Sequence, residues 1–398
     1  MNRKMRIAIL GARGIPARYG GFETFADEIS RRLVQSGFEV SVFCEATSET
    51  QPSTYRGVDL IYVARPSAGA LSTIAYDCLC LWQARKSYDV VYMLGYGSSI
   101  FCFLPRLWGT QVWINMDGLE WKRGKWGILG RSYLHLMEWI ATWMPNRIIA
   151  DARSIRTDLR KRYAVRIPCD VLPYGCYILT ETPSEEALVQ RDLEAGEYYL
   201  VLCRFEPENH VVEIIDGFLS SDSKRSLVLI GNDKAATPYV LGLLERKDKR
   251  VRFLGPVYDR RQLDSLRFHS RAYFHGHSVG GTPPSLLEAM GSSCLIVSHD
   301  NLFNREVLDD AGLYFDTTDD LRRIVTEIDS GIISEEALEE RAKTRAAQYY
   351  NWPFIASAYM ECFLSSHNCG MDEIDFAPSP NSGTSPSLLP NLESVSHK

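Results

Sequence analysis

The sequence predicts an α/β protein of two successive parallel-sheet domains that face each other across a cleft. Three observations carry that expectation. The chain has 398 residues, too many for one ordinary core and enough for two domains of usual size. Short β-rich runs alternate with longer amphipathic stretches, which is the pattern of strand–helix–strand units. The pattern stops at a proline-rich segment near residue 175 and then starts again.

Strands are expected at 6–10, 39–44, 58–63, 90–94, 111–115 and 147–150, with a helix over 21–36 ended by Gly37. They make one doubly wound domain, 1–175. Residues 168–183 hold three prolines and a glycine and read as a linker, followed by a helix over 184–197. A second domain, 176–345, has strands at 199–203, 226–230, 250–254, 272–275 and 294–298 and a helix over 211–219. Residues 335–364 read as one or two closing helices, with 346–365 expected to pack back on the first domain. From 366 to 398 Ser, Pro, Asn and Gly dominate, the composition of a disordered tail.

Composition narrows the function. Hydrophobic residues make up 45% and charged residues 24%, the balance of a soluble globular protein. A net charge of −6 argues against a nucleic-acid partner bound through bulk charge. The ten cysteines include no Cys-x-x-Cys pair, so neither a zinc ribbon nor a disulfide framework is expected. They read as small core residues in a reducing compartment. The charged start leads straight into a strand-like run, unlike a signal peptide. No window offers the ~20 uninterrupted apolar residues of a spanning helix. The expected location is the cytoplasm.

Four clusters carry the chemistry. Gly11, Gly14, Gly20 and Gly21 follow the first strand, where glycines let backbone approach a phosphate and a helix start supplies free N–H groups. Their spacing is not G-x-G-x-x-G, and an ordinary tight strand-to-helix connection is the alternative. In the second domain Gly280 and Gly281 precede Thr282, read as an N-cap, and Pro283, read as the first helical residue. A pyrophosphate is expected on those amides, with Glu288 about one and a half turns further on for the ribose hydroxyls. A capped amphipathic helix with a solvated Glu is the other reading. Arg204, at the end of the 199–203 strand, is placed to fork onto phosphate oxygens or to lie on a surface loop. Last, Asp117, Glu120, Lys122 and Arg123 follow the 111–115 strand, a position suited to catalytic and acceptor-binding groups or to plain solvation. The aromatic stretch 125–143 reads as a core helix or as one lying on a membrane surface.

Together these strings resemble the family-4 glycosyltransferases of GT-B fold, in which two Rossmann-like domains enclose the cleft. They are most similar to a rhamnosyltransferase-like subgroup that builds bacterial surface polysaccharide. The resemblance rests on residues 14–25, 116–123, 171–175, 204–209, 275–282 and 300–306. It implies a retaining, metal-independent hexosyltransferase without a cofactor, moving a hexose or deoxyhexose such as L-rhamnose from a nucleotide-sugar such as dTDP-rhamnose. The implied acceptor is a saccharide, lipid-linked and met at the inner face of the cell membrane, which would make the enzyme peripheral. Glu288 takes the ribose, Arg204 the diphosphate, and Gly20 and Gly21 close over the donor phosphates. Two positions depart from the broader family: Gly280 stands where it has a glutamate, and Asn209 where it has a lysine. His277 is the candidate to replace the missing carboxylate, and Asp117 the candidate base toward the acceptor hydroxyl. The competing readings are a non-catalytic nucleotide-sugar or glycan-binding protein, a dehydrogenase with Glu45 on a ribose, and an epimerase.

Overall fold

The computed structural model describes residues 3–17, 20–47, 51–234, 237–246, 248–365 and 373–378. It contains two parallel sheets. The first consists of β1 (Arg6–Leu10), β2 (Glu39–Glu45), β3 (Thr54–Tyr55), β4 (Val58–Val63), β5 (Val90–Leu94), β6 (Gln111–Met116), β7 (Arg147–Ala150) and β8 (Cys169–Val171). Their order is β3-β4-β2-β1-β5-β6-β7-β8, and only the β3–β4 pair is antiparallel. Strands β1, β5 and β7 bury nearly every side chain, as strands covered by helices on both faces must. The second sheet holds β9 (Tyr198–Leu202), β10 (Ser226–Ile230), β11 (Val251–Phe253), β12 (Ala272–His275), β13 (Ile296–His299) and β14 (Leu313–Phe315), in the order β11-β10-β9-β12-β13-β14.

Three elements differ from the sequence reading. The supposed linker carries β8, a three-residue strand that pairs with β7 and completes the first sheet. The helix expected over 184–197 is only Glu186–Val189, because Asp192 takes a left-handed turn at φ 53° that stops it. The tail expected to be disordered is ordered at 373–378. There Asp375 bridges Val171 in parallel register, and Glu373 and Asp375 pair with Arg160, Arg153 and Arg156. Those arginines line one face of the Arg153–Arg162 helix, so an acidic strap added to the β8 edge neutralises a basic helix. The rest of the supposed tail, 366–372 and 379–398, lies outside the described residues.

The closing segment is two helices, Glu335–Tyr349 and Trp352–Ser365. The second lies on the first domain: Tyr359 meets Phe25 edge-on at 5.2 Å, and Phe363 stacks on Trp113 at 4.6 Å. Such aromatic pairs add to the stability gained from burial alone. All nine described cysteines are free, and seven are buried, the burial of small apolar side chains.

Candidate active site in the cleft

Loops at the carboxyl ends of β1, β6 and β7 meet those of β9 and β12, where open α/β sheets bind ligands. On the second-domain side, β9 leads to Arg204 and then to a short turn, Pro207–Asn209. Arg204 is exposed, and its guanidinium stands 3.9 Å from the Glu206 carboxylate, too far for a hydrogen bond. Asn209 donates its amide to the Arg204 carbonyl at 2.7 Å, so its oxygen faces His277 Nδ1 at 3.0 Å. Asn301 and Asn304 donate to the His277 carbonyl at 3.1 and 2.9 Å, which fixes the backbone on the other side. Burial first, then Arg123 and Arg204, push the His277 pKa down to about 3, so the ring is neutral at physiological pH.

The helix after β12 begins one residue later than the sequence implied. It spans Pro284–Gly291 with Pro283 at the cap position. Thr282 does not cap it, because its hydroxyl donates across the cleft to the Asp151 carbonyl. The Thr282 amide donates to Asp151 Oδ2 at 3.2 Å, and the Gly281 amide donates to the Asp117 carbonyl at 3.1 Å. The two amides expected to face a pyrophosphate are thus occupied by oxygens of the opposite domain. Further along, Glu288 accepts from the fully buried Arg267, which is also 3.5 Å from Asp264. Glu288 is therefore a fixed, paired carboxylate rather than a freely solvated one, and it stays partly exposed.

Glycines permit this contact between domains. A side chain at Gly281 would collide with the Asp151 carboxylate, and one at Gly118 would lie 2.7 Å from the Gly280 backbone. Gly280 sits between His277 and the Asp117 carbonyl. Gly20 has φ 113°, closed to most residues, and precedes the Gly21–Gln35 helix. Gly21 lies against the Pro284 ring, so the two glycine-rich helix starts face each other.

The first-domain wall holds the proposed acceptor residues. Asp117 follows β6, and burial, with Glu120 adding, raises its pKa to about 6. Glu120 is spent internally: Arg123 Nε lies 2.8 Å away, Lys125 Nζ 2.7 Å, and Trp126 donates to it at 3.2 Å. Glu120 and Arg123 thus brace one loop, in place of the free acceptor-binding groups expected. Lys122 is exposed, with its ammonium 5.3 Å from the Trp121 ring centre.

Sequence reasoning missed four groups. Asp151 stands directly beyond β7, and its other oxygen, Oδ1, is buried without a partner among the described residues. Its pKa is pushed well up by burial and by the nearby Asp117 charge. A carboxylate just past an apolar strand was its available signal. Glu306, from the second domain, accepts the Arg153 and Ser154 amides at 2.5 and 2.8 Å and so caps the Arg153–Arg162 helix of the first. Glu208 is buried, and neither of its oxygens has a partner among the described residues. Arg267, which holds Glu288, had no local signal. Among the described residues no group of three or more His, Cys, Asp or Glu side chains is placed to hold a metal ion.

Residues 185–349 match the family described as glycosyl transferases group 1, and residues 4–177 match DUF1972, a domain of unknown function. No curated protein matches the chain. Among solved structures it is similar to sucrose-phosphate synthase from Thermosynechococcus elongatus, at 14% identity and a TM-score of 0.79, over 92% of this chain and 100% of that one. HepE from Anabaena in complex with UDP-glucose gives 15% identity and a TM-score of 0.70, over 91% and 100%. An α,α-trehalose-phosphate synthase (UDP-forming) from Burkholderia vietnamiensis gives 13% and 0.68, over 92% and 99%. At these identities the likeness is one of fold.

Proposed function

We propose that this chain, a glycosyltransferase of GT-B fold that takes sugar from a nucleotide-sugar, binds the donor diphosphate at the amides of Gly281 and Thr282. The observation that carries the reading is what fills those amides now. Asp151 Oδ2 is a carboxylate oxygen seated at the mouth of a helix, where backbone N–H groups and the helix dipole favour negative charge. A phosphate oxygen takes that place when the domains part and Asp151 withdraws. Gly20 and Gly21 then close over the phosphates from the facing helix start.

Arg204, only loosely held by Glu206 at 3.9 Å, forks onto the diphosphate and stabilises the charge that builds on it as the anomeric bond breaks. Glu288, oriented by Arg267, accepts the ribose hydroxyls. Asp117 takes the proton of the acceptor hydroxyl. His277 faces the transferring sugar beside Gly280, where its neutral ring is a hydrogen-bond partner rather than a charge. Lys122 remains the available acceptor contact on its loop. Reclosure excludes water from the oxocarbenium-like state.

The donor is a hexose or deoxyhexose carried on a nucleoside diphosphate. HepE, similar in fold, is described in complex with UDP-glucose, and L-rhamnose from dTDP is the reading that the motif resemblance supports. Transfer with retention, without metal or cofactor, to a lipid-linked saccharide of surface polysaccharide completes the proposal. The enzyme is then cytoplasmic and peripheral on the inner face of the membrane. Among the described residues no helix is long and apolar enough to cross one. Titration calorimetry with UDP and dTDP tests the donor site: Arg204→Ala and Glu288→Ala each weaken nucleotide affinity by tenfold or more, about 1.4 kcal/mol. Unchanged affinity in both variants removes the assignment.

A further inference from the structure

We infer that the first domain docks on an anionic lipid bilayer through an exposed aromatic face with a basic border. The face begins with the Ile128–Ala141 helix, which is apolar on both sides. Leu134, Met137 and Ile140 are buried, yet Leu136, Trp139 and Trp143 on the opposite stripe are exposed. Ile128 and Leu129, at the helix start, are 84% and 87% exposed. A helix that needed only to cover its own domain would carry polar residues there.

The stripe continues onto neighbouring elements. Arg106 donates to the Met144 carbonyl, joining the Phe103–Arg106 helix to the end of the aromatic one. Exposed Trp108 follows, and it meets exposed Trp82 of the Ser72–Ala84 helix edge-on at 5.7 Å. Beside Trp82, an almost wholly apolar groove of about 430 Å³ is lined by Leu71, Ile74, Leu79 and Phe101 among others. Exposed apolar surface of this extent on one side of a soluble domain marks an interaction site.

Charge selects the occupant. Arg85 lies over the Trp82 ring at 3.8 Å and Lys86 beside Trp108 at 5.4 Å, while Arg106 and Arg131 are exposed. Between residues 66 and 116 the acids are Asp77, which is buried, and Asp89, which Arg3 holds at 3.2 Å. On the aromatic helix the acid is Glu138, buried against Arg162. The chain as a whole is net negative at −6, so this face reverses the sign of its protein. Indole rings with Lys and Arg at their edges suit the headgroup level of an anionic membrane. The helix start carrying Ile128 and Leu129 directly follows the 117–125 loop, so docking brings the acceptor side of the cleft to the lipid. The inference rests on the preceding reading, that the acceptor is lipid-linked, and names the surface and the lipid charge.

Vesicle co-sedimentation of the full chain tests it, using phosphatidylcholine alone and phosphatidylcholine with about 30 mol% phosphatidylglycerol. The chain binds the anionic vesicles and releases with salt. Ile128→Asp/Leu129→Asp and Lys86→Glu/Arg131→Glu each weaken that binding by about tenfold or more. UDP affinity stays unchanged in both, which separates this face from the cleft. Equal binding to both lipids, no effect of either double variant, or self-association through the face without vesicle binding overturns the inference. Loss of UDP binding in the unaltered chain counts instead against the donor site.

Discussion

Asp117 and His277 flank Gly280, and the cleft sets their protonation apart. Burial raises Asp117 to about 6 and lowers His277 to about 3. A general base must be ionised, so transfer is half-maximal near pH 6, close to full about one unit above it, and falls about tenfold per unit further below. His277, already neutral, adds no limb in that range. The pH dependence of kcat/KM in the unaltered enzyme and in Asp117→Asn is the check. The variant loses most turnover together with the acid limb; a variant that keeps both places the base elsewhere. At this scale the sequence showed which residue types were present but not how they were partnered. Glu120 and Arg123 looked like free acceptor groups because nothing in their spacing reveals that they clasp each other and Lys125.

At the scale of elements, strands with an unbroken apolar run were legible because period and flanking glycines act locally. β8 was not, since three residues among prolines carry too little pattern to tell strand from linker. Two of the contacts between the domains were also hidden. Asp151 reaches Thr282 across 131 positions, and Glu306 reaches Ser154 across 152. The Arg153–Arg162 helix has no side-chain cap of its own at Ala152, so Glu306 supplies the acceptor from another domain. Removing it by Glu306→Ala costs about 1 kcal/mol, as loss of a cap does. Thermal unfolding should show a Tm lower by a few degrees; an unchanged Tm means that the cap contributes nothing beyond what water provides.

For the whole molecule, the described arrangement is closed and holds its own carboxyl group on an amide proposed for the donor's phosphate. Two sheets, a cleft and the glycine-bearing loops followed from alternation and motif. Closure did not, because it depends on how two separate folding units meet. The strap at 373–378 likewise depends on arginines more than 200 positions earlier, the Arg153–Asp375 bond spanning 222. Six residues in a segment otherwise rich in Ser, Pro, Asn and Gly give no local sign of such a partner.

In the proposed reaction the donor displaces Asp151 from the Thr282 amide. A crystal structure of the chain with UDP or dTDP bound tests this directly. The expected result is phosphate oxygens within about 3 Å of the Gly281 and Thr282 amides, Asp151 withdrawn, and Glu288 on the ribose. Nucleotide bound elsewhere, with Asp151 still holding Thr282, would contradict it.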